Sequence, residues 1–154
     1  MYPIQHILAG FFLALLLYFL FPQTGLLGVS LIFFSSFIID VDHYLAYVFK
    51  KKNFNLKKAY NWHMEMDKKS LKLSREERNN SFLCLCFLHG FEIFLIFLIL
   101  GVVFSKYFLF ISIGIAFHLF LDVIYGFTYS DRIDKLSVIY DFFNYKNLKD
   151  IESY

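Results

Sequence analysis

The sequence predicts an all-α fold: a four-helix transmembrane bundle of two antiparallel hairpins with a basic cytoplasmic loop. Apolar residues make up 58% of the chain and charged residues 18%, against about 45–50% and about 25% in soluble domains. Four apolar runs, at 4–21, 26–49, 82–104 and 107–127, approach the roughly 20 residues a helix needs to cross a hydrocarbon core about 30 Å thick. Neither Lys nor Arg occurs inside any of them. A length of 154 residues suits one compact domain.

The first two runs are joined by Pro22, Gln23, Thr24 and Gly25, and the last two by Ser105 and Lys106. Connectors this short force each pair into an antiparallel hairpin. Residues 50–81 form a polar loop with ten Lys and Arg, the tail 129–154 carries four more, and Lys106 alone lies on the opposite side. Cytoplasmic segments carry the basic excess, so the sequence predicts a multi-pass cell-membrane protein with both termini and the central loop in the cytoplasm. Within that loop Ser74 and Glu77 have capping-box spacing, and Leu56, Tyr60 and Trp62 mix with lysines as in interfacial helices. One or two surface helices are expected there, with a charge suited to anionic lipid headgroups. The division is then a helical bundle over 1–128 and a cytoplasmic tail over 129–154, with Asp131 and Asp134 at the cytoplasmic surface.

Cys84 and Cys86 lie in an apolar stretch and are too few for a structural zinc site or a disulfide framework, so they read as packing residues. The 22 Phe and 11 Tyr fall mostly inside the apolar runs without interleaved basic residues. That arrangement suits lipid contact, and nucleic acid is not expected as a partner.

Ionisable groups inside membrane helices are costly, at about 2.5–3.5 kcal/mol for a central charge on insertion scales, and each calls for a reason. The runs contain His6 in the first, Asp40, Asp42 and His43 in the second, His89 and Glu92 in the third, and His118 and Asp122 in the fourth. Given the alternating directions of the helices and about 1.5 Å of rise per residue, all eight fall in the cytoplasmic half of the bilayer. Asp40 with His43, His89 with Glu92, and His118 with Asp122 are three or four residues apart and share a helix face. Asp42 stands about 160° from Asp40 on an ideal helix, so either the helix loosens there or Asp42 lies behind the ligands. Without an internal Lys or Arg, the carboxylates require protonation, a basic side chain reaching in from the loop, or a bound metal. Imidazole with carboxylate is a ligand set for Zn, Mn or Fe.

The elements Asp40-x-Asp42-His43, His89 with Glu92, and His118-x-x-x-Asp122, preceded by His6, resemble the YdjM-like family of membrane-bound metal-dependent hydrolases. More distantly they are similar to the all-helical zinc-dependent phospholipase C and single-strand nuclease superfamily. Ile39 stands where the family often has Pro, and the family's central His-Arg-Gly and Thr-His-Ser element is missing, with His89-Gly90-Phe91-Glu92 as the candidate to serve instead. The resemblance implies a divalent metal, with Zn foremost and Mn, Mg or Fe as alternatives. Its ligands would be Asp40, His43, His89, His118 and Asp122, with His6 completing a second metal position. Glu92 would serve as ligand or general base, and Asp42 would orient the site. The expected activity is hydrolysis of a phosphoester, such as a phospholipid or lipid-linked phosphate, at the inner leaflet. A small metal or proton transporter and a non-catalytic membrane scaffold are the alternatives.

Overall fold

In the computed structural model, which describes residues 3–130 and 137–154, helix dominates. Asp131 and Asp134 lie outside the described residues. Helix α1 (Pro3–Leu20) is followed by a tight turn at Pro22–Thr24 and helix α2 (Gly25–Ile38), then α3 (Val41–Lys51). The polar loop supplies α4 (Leu56–Lys72) and α5 (Arg75–Asn79), followed by the short strand β1 (Ser81–Phe82). Helices α6 (Phe91–Val103) and α7 (Lys106–Tyr125) follow, α7 running on into a π-helical turn at Gly126–Ser130. Helix α8 (Val138–Asn144) and strand β2 (Lys149–Asp150) close the chain.

Among the described residues, three segments are long and apolar enough to cross a membrane: Pro3–Leu20, Pro22–Lys51 and Lys106–Thr128. Their large side chains face outward: Phe12, Phe19, Leu20, Leu26 and Phe120 are all more than half exposed, an outer surface suited to lipid.

Two boundaries differ from the sequence expectation. The third apolar run does not become one helix over 82–104; only Phe91–Val103 is helical, about 20 Å of rise and short of a full hydrocarbon core. Residues 83–90 lack regular structure, and their backbone is tied by side chains: Lys50 Nζ donates to the Leu83 carbonyl at 3.2 Å and the Leu88 N–H to Asp42 at 2.8 Å. Irregular backbone at membrane depth persists only where protein groups satisfy it. The second run is interrupted after Ile38 by a turn at Ile39 and Asp40, and both residues keep helical dihedrals. The chain therefore continues in the same general direction, with the ladder loosened at the first carboxylate.

Inside the apolar layer, α2 packs on α1 and α7, and α7 on α6. The contacts are made by small residues. A Cβ added to Gly10 would stand 1.9 Å from Ser36 Oγ, and one on Gly114 would stand 2.0 Å from Ser35 Oγ and 2.4 Å from the Ile32 carbonyl. Helix pairs in lipid gain stability from such close backbone approach. Ser35 and Ser36 return their hydroxyls to carbonyls of their own helix, so no polar atom is stranded.

The polar loop is structured. Ser74 and Glu77 form the anticipated capping box, and two surface helices are present. The end of the tail is built into this unit: β2 pairs in parallel with β1, and Ile151 joins Tyr47, Val48, Ala59, Trp62 and Met66 in a small apolar core.

Candidate metal centre

The loosened turn at Ile39–Asp40 puts the Asp40 carboxylate on one side of α3 and Asp42, one step into that helix, on another. α7 carries His118 and Asp122 one turn apart, α1 carries His6, and the irregular stretch ahead of α6 presents His89 immediately before the capping Gly90. Asp40, Asp42, His6, His89, His118 and Asp122 converge.

The centre of the cluster is the approach of two imidazoles. His89 Nε2 and His118 Nε2 are 3.1 Å apart. Asp40 Oδ1 lies 3.4 Å from the first and 3.8 Å from the second. Asp122 Oδ2 lies 3.8 Å and 3.2 Å from the same two atoms. Four ligands at about 2.0–2.2 Å from a tetrahedral centre stand roughly 3.3–3.6 Å from one another. Those five distances bracket that spacing, but Asp40 and Asp122 belong to different donor groups, Asp40 with His89 and His118, and Asp122 with His6 and His118.

The far nitrogens of both rings are fixed. His118 Nδ1 donates to the Ser36 carbonyl at 2.8 Å, a bond that exists because Gly114 lets α7 lie directly on α2. His89 Nδ1 donates to Asp42 Oδ2 at 3.0 Å, and the same oxygen accepts from the Leu88 N–H. A carbonyl cannot donate and a carboxylate normally does not, so the Nδ1 atoms carry the protons and both Nε2 atoms present lone pairs to each other. Metal-binding histidines are oriented in this way by a carbonyl or carboxylate behind them.

His6 is fully buried and stacks on His118 with ring centroids 3.9 Å apart. Its Nε2 lies 3.2 Å from Asp122 Oδ1, but without the alignment of a hydrogen bond, and neither of its nitrogens has a partner among the described residues. Asp40 Oδ2 is likewise buried without a partner. The donor set thus has spare capacity directed at the cluster.

Two of the expected residues are placed differently. His43 stands at the edge, its Nε2 3.9 Å from Asp40 Oδ1. Glu92, expected as ligand or general base, instead binds the start of α8, accepting from the Ser137 hydroxyl and from the N–H groups of Val138 at 3.1 Å and Ile139 at 3.3 Å. With no charged side chain on the first turn of α8 before Asp141, Glu92 acts as its anionic cap. Asp42 takes the orienting position.

Comparison with models of known families, with characterised proteins and with solved structures finds no match. Among the described residues, three groups of donors stand close enough to hold an ion: His6, His118 and Asp122; Asp40, His89 and His118; and Asp42, His43, Cys86 and His89. Cys86 is the member that composition alone assigned to packing. Its signal, a thiol two residues beyond another and three before His89, carries no recognisable ligand spacing.

His63 remains outside the cluster, as its loop position implies. Its Nε2 donates to the His43 carbonyl at 2.9 Å, and its ring packs edge-on against His43 and Trp62.

Proposed function

We propose that this chain is an integral membrane protein that holds a divalent metal between α2–α3, α7 and the segment before α6, and that it hydrolyses a phosphoester at the cytoplasmic leaflet. The observation that carries the metal reading is the approach of the His89 and His118 Nε2 atoms to 3.1 Å, with the Nδ1 atom of each ring already bonded to an acceptor. In neutral rings held as Nδ1–H tautomers the two Nε2 lone pairs repel, and a cation between them relieves that repulsion. A shared proton is one such cation, but Asp40 and Asp122 also face the pair, and a single positive charge leaves them uncompensated, whereas a divalent ion balances both.

Asp40, His89 and His118, whose donor atoms lie within 4.8 Å of one another, are the ligands in this reading, with Asp122 beside them toward His6, and the mixed N/O donors suit zinc. His6, stacked on His118 and beside Asp122, would supply a donor to a second ion together with Asp122. Bound metal would lower the pKa of a water molecule and polarise a phosphoryl oxygen. The protein's own part is positional: Asp42 and the Ser36 carbonyl hold the two imidazoles in register, and Asp122, with its side chain 25% exposed, marks the edge through which substrate enters.

The small-residue layer of Gly10, Ser35, Ser36 and Gly114 lies one helical turn beyond the donors and closes the other side. This one-sidedness favours an enzyme over a transporter, which needs access from both faces. Orientation follows the basic loop and tail, which place the open edge at the inner leaflet, where phospholipid and lipid-linked phosphates are available. The test is phosphate or headgroup release from vesicles containing the reconstituted protein. Release that requires added divalent metal and is lost in His118→Ala supports the reading; metal-loaded protein that releases nothing from phospholipid or lipid-linked phosphates opposes it.

A further inference from the structure

A second cluster adjoins the one just described and contains sulfur. Cys86 is 5% exposed, and its Sγ lies 3.4 Å from His43 Nδ1. Asp42, His43, Cys86 and His89 each bring one donor atom to within 4.8 Å of the others. Asp42 is 3% exposed; its Oδ2 is occupied by His89 and Leu88, while its Oδ1 is buried and has no hydrogen-bond partner among the described residues. A carboxylate oxygen buried without a donor is costly unless a cation meets it.

The geometry points to a thiolate-containing zinc position made by Cys86 Sγ, His43 Nδ1 and Asp42 Oδ1, separate from the all-nitrogen-and-oxygen position between His89 and His118. Three protein ligands leave a fourth place for water or substrate, the pattern of catalytic rather than structural zinc. The mixed sulfur, nitrogen and oxygen set suits a borderline-soft ion. Binding releases the Cys86 thiol proton to solvent, since thiolate is the ligand form. Asp42 would then serve both positions: Oδ2 orients His89 for the first ion, and Oδ1, without a hydrogen-bond partner among the described residues, is the oxygen left for the second. Cys84, with its Sγ 3.7 Å from that of Cys86, is a neighbour and not a ligand.

Cobalt(II) separates the two positions, because only a thiolate ligand gives an intense near-ultraviolet charge-transfer band, whereas both positions give visible ligand-field bands. Full-length protein loaded with cobalt should show both features. Cys86→Ser should abolish the ultraviolet band, keep the visible bands and lower the metal content by about one equivalent per chain, and Cys84→Ser should change neither. Retention of the visible bands in Cys86→Ser shows that the variant is folded and that the first position stands independently. X-ray absorption of the zinc-loaded wild type provides a test without substitution, with a sulfur shell expected at about 2.3 Å. A wild type with visible bands but no charge-transfer band and no sulfur shell overturns this second position alone. So does a band that survives Cys86→Ser or requires Cys84.

Discussion

Gly114→Ala probes how the fold holds the metal centre. The new Cβ would lie 2.4 Å from the Ile32 carbonyl and 2.0 Å from Ser35 Oγ. The hydroxyl can rotate away, but the carbonyl belongs to the α2 backbone and cannot. To restore an ordinary contact of about 3.4 Å, the two helices must separate by about 1 Å at this level. His118 is one turn further along α7, and its 2.8 Å bond to the Ser36 carbonyl spans the same gap, so the separation stretches it to about 3.8 Å, beyond hydrogen-bond range. Overpacking of this kind costs about 1–3 kcal/mol. Loss of the partner that orients a metal-binding imidazole lowers affinity roughly 10–100-fold. Both effects can be measured on detergent-solubilised protein, the first as a lowered thermal midpoint and the second by competition with a chromophoric chelator. Ser35→Gly combined with Gly114→Ala should recover only part of the loss, since the carbonyl contact remains. A Gly114→Ala protein with unaltered midpoint and affinity would refute the close approach of α2 and α7 on which the site depends.

Asp42→Asn, made in a Cys86→Ser background so that only the position between His89 and His118 reports, should weaken metal binding about 10–100-fold by chelator competition while helix content by circular dichroism is retained. Glu92→Gln should leave metal content unchanged and instead loosen α8, by about 1 kcal/mol for a lost cap, seen as faster amide exchange over residues 138–144. Burial raises the Glu152 carboxyl pKa, but the Lys51 ammonium at 2.7 Å, the Trp62 indole N–H at 2.6 Å and the Lys50 charge outweigh it and hold the group below the usual Glu value. A depressed pKa contributes stability that is complete above the unfolded value of about 4.3 and is lost as pH falls through the folded one. Trp62 fluorescence should therefore report loosening of the 149–154 segment below about pH 4.3, a transition that Glu152→Gln diminishes and that Asp150, paired with Lys50 at 2.7 Å and likewise held below its usual value, continues to supply.

The apolar runs and the ionisable layer were legible because burial of charge in lipid is rare enough to be informative residue by residue. His6, Asp40, His89, His118 and Asp122 meet as their depths implied. The form of residues 83–90 was not legible, since an apolar stretch ending at His89 and Gly90 reads the same whether helical or extended, and what decides it is the distant Asp42 carboxylate taking the Leu88 N–H. The displacement of Glu92 has a similar origin. Its spacing from His89 supposes that both lie on one helix, but α6 begins only after Gly90, and the acceptor is drawn to the N–H groups of α8. The seal of Gly10 and Gly114 against α2 was also hidden, because single glycines in apolar helices carry no sign of which neighbour they admit.

The account turns on a divalent ion between His89 and His118, and metal analysis of protein purified without a polyhistidine tag tests this most directly. The expected result is at least one equivalent of divalent metal per chain, reduced by about one equivalent in His118→Ala at unchanged helix content. A wild type that is metal-free, and whose thermal midpoint is indifferent to added zinc, manganese, iron or magnesium, would contradict it.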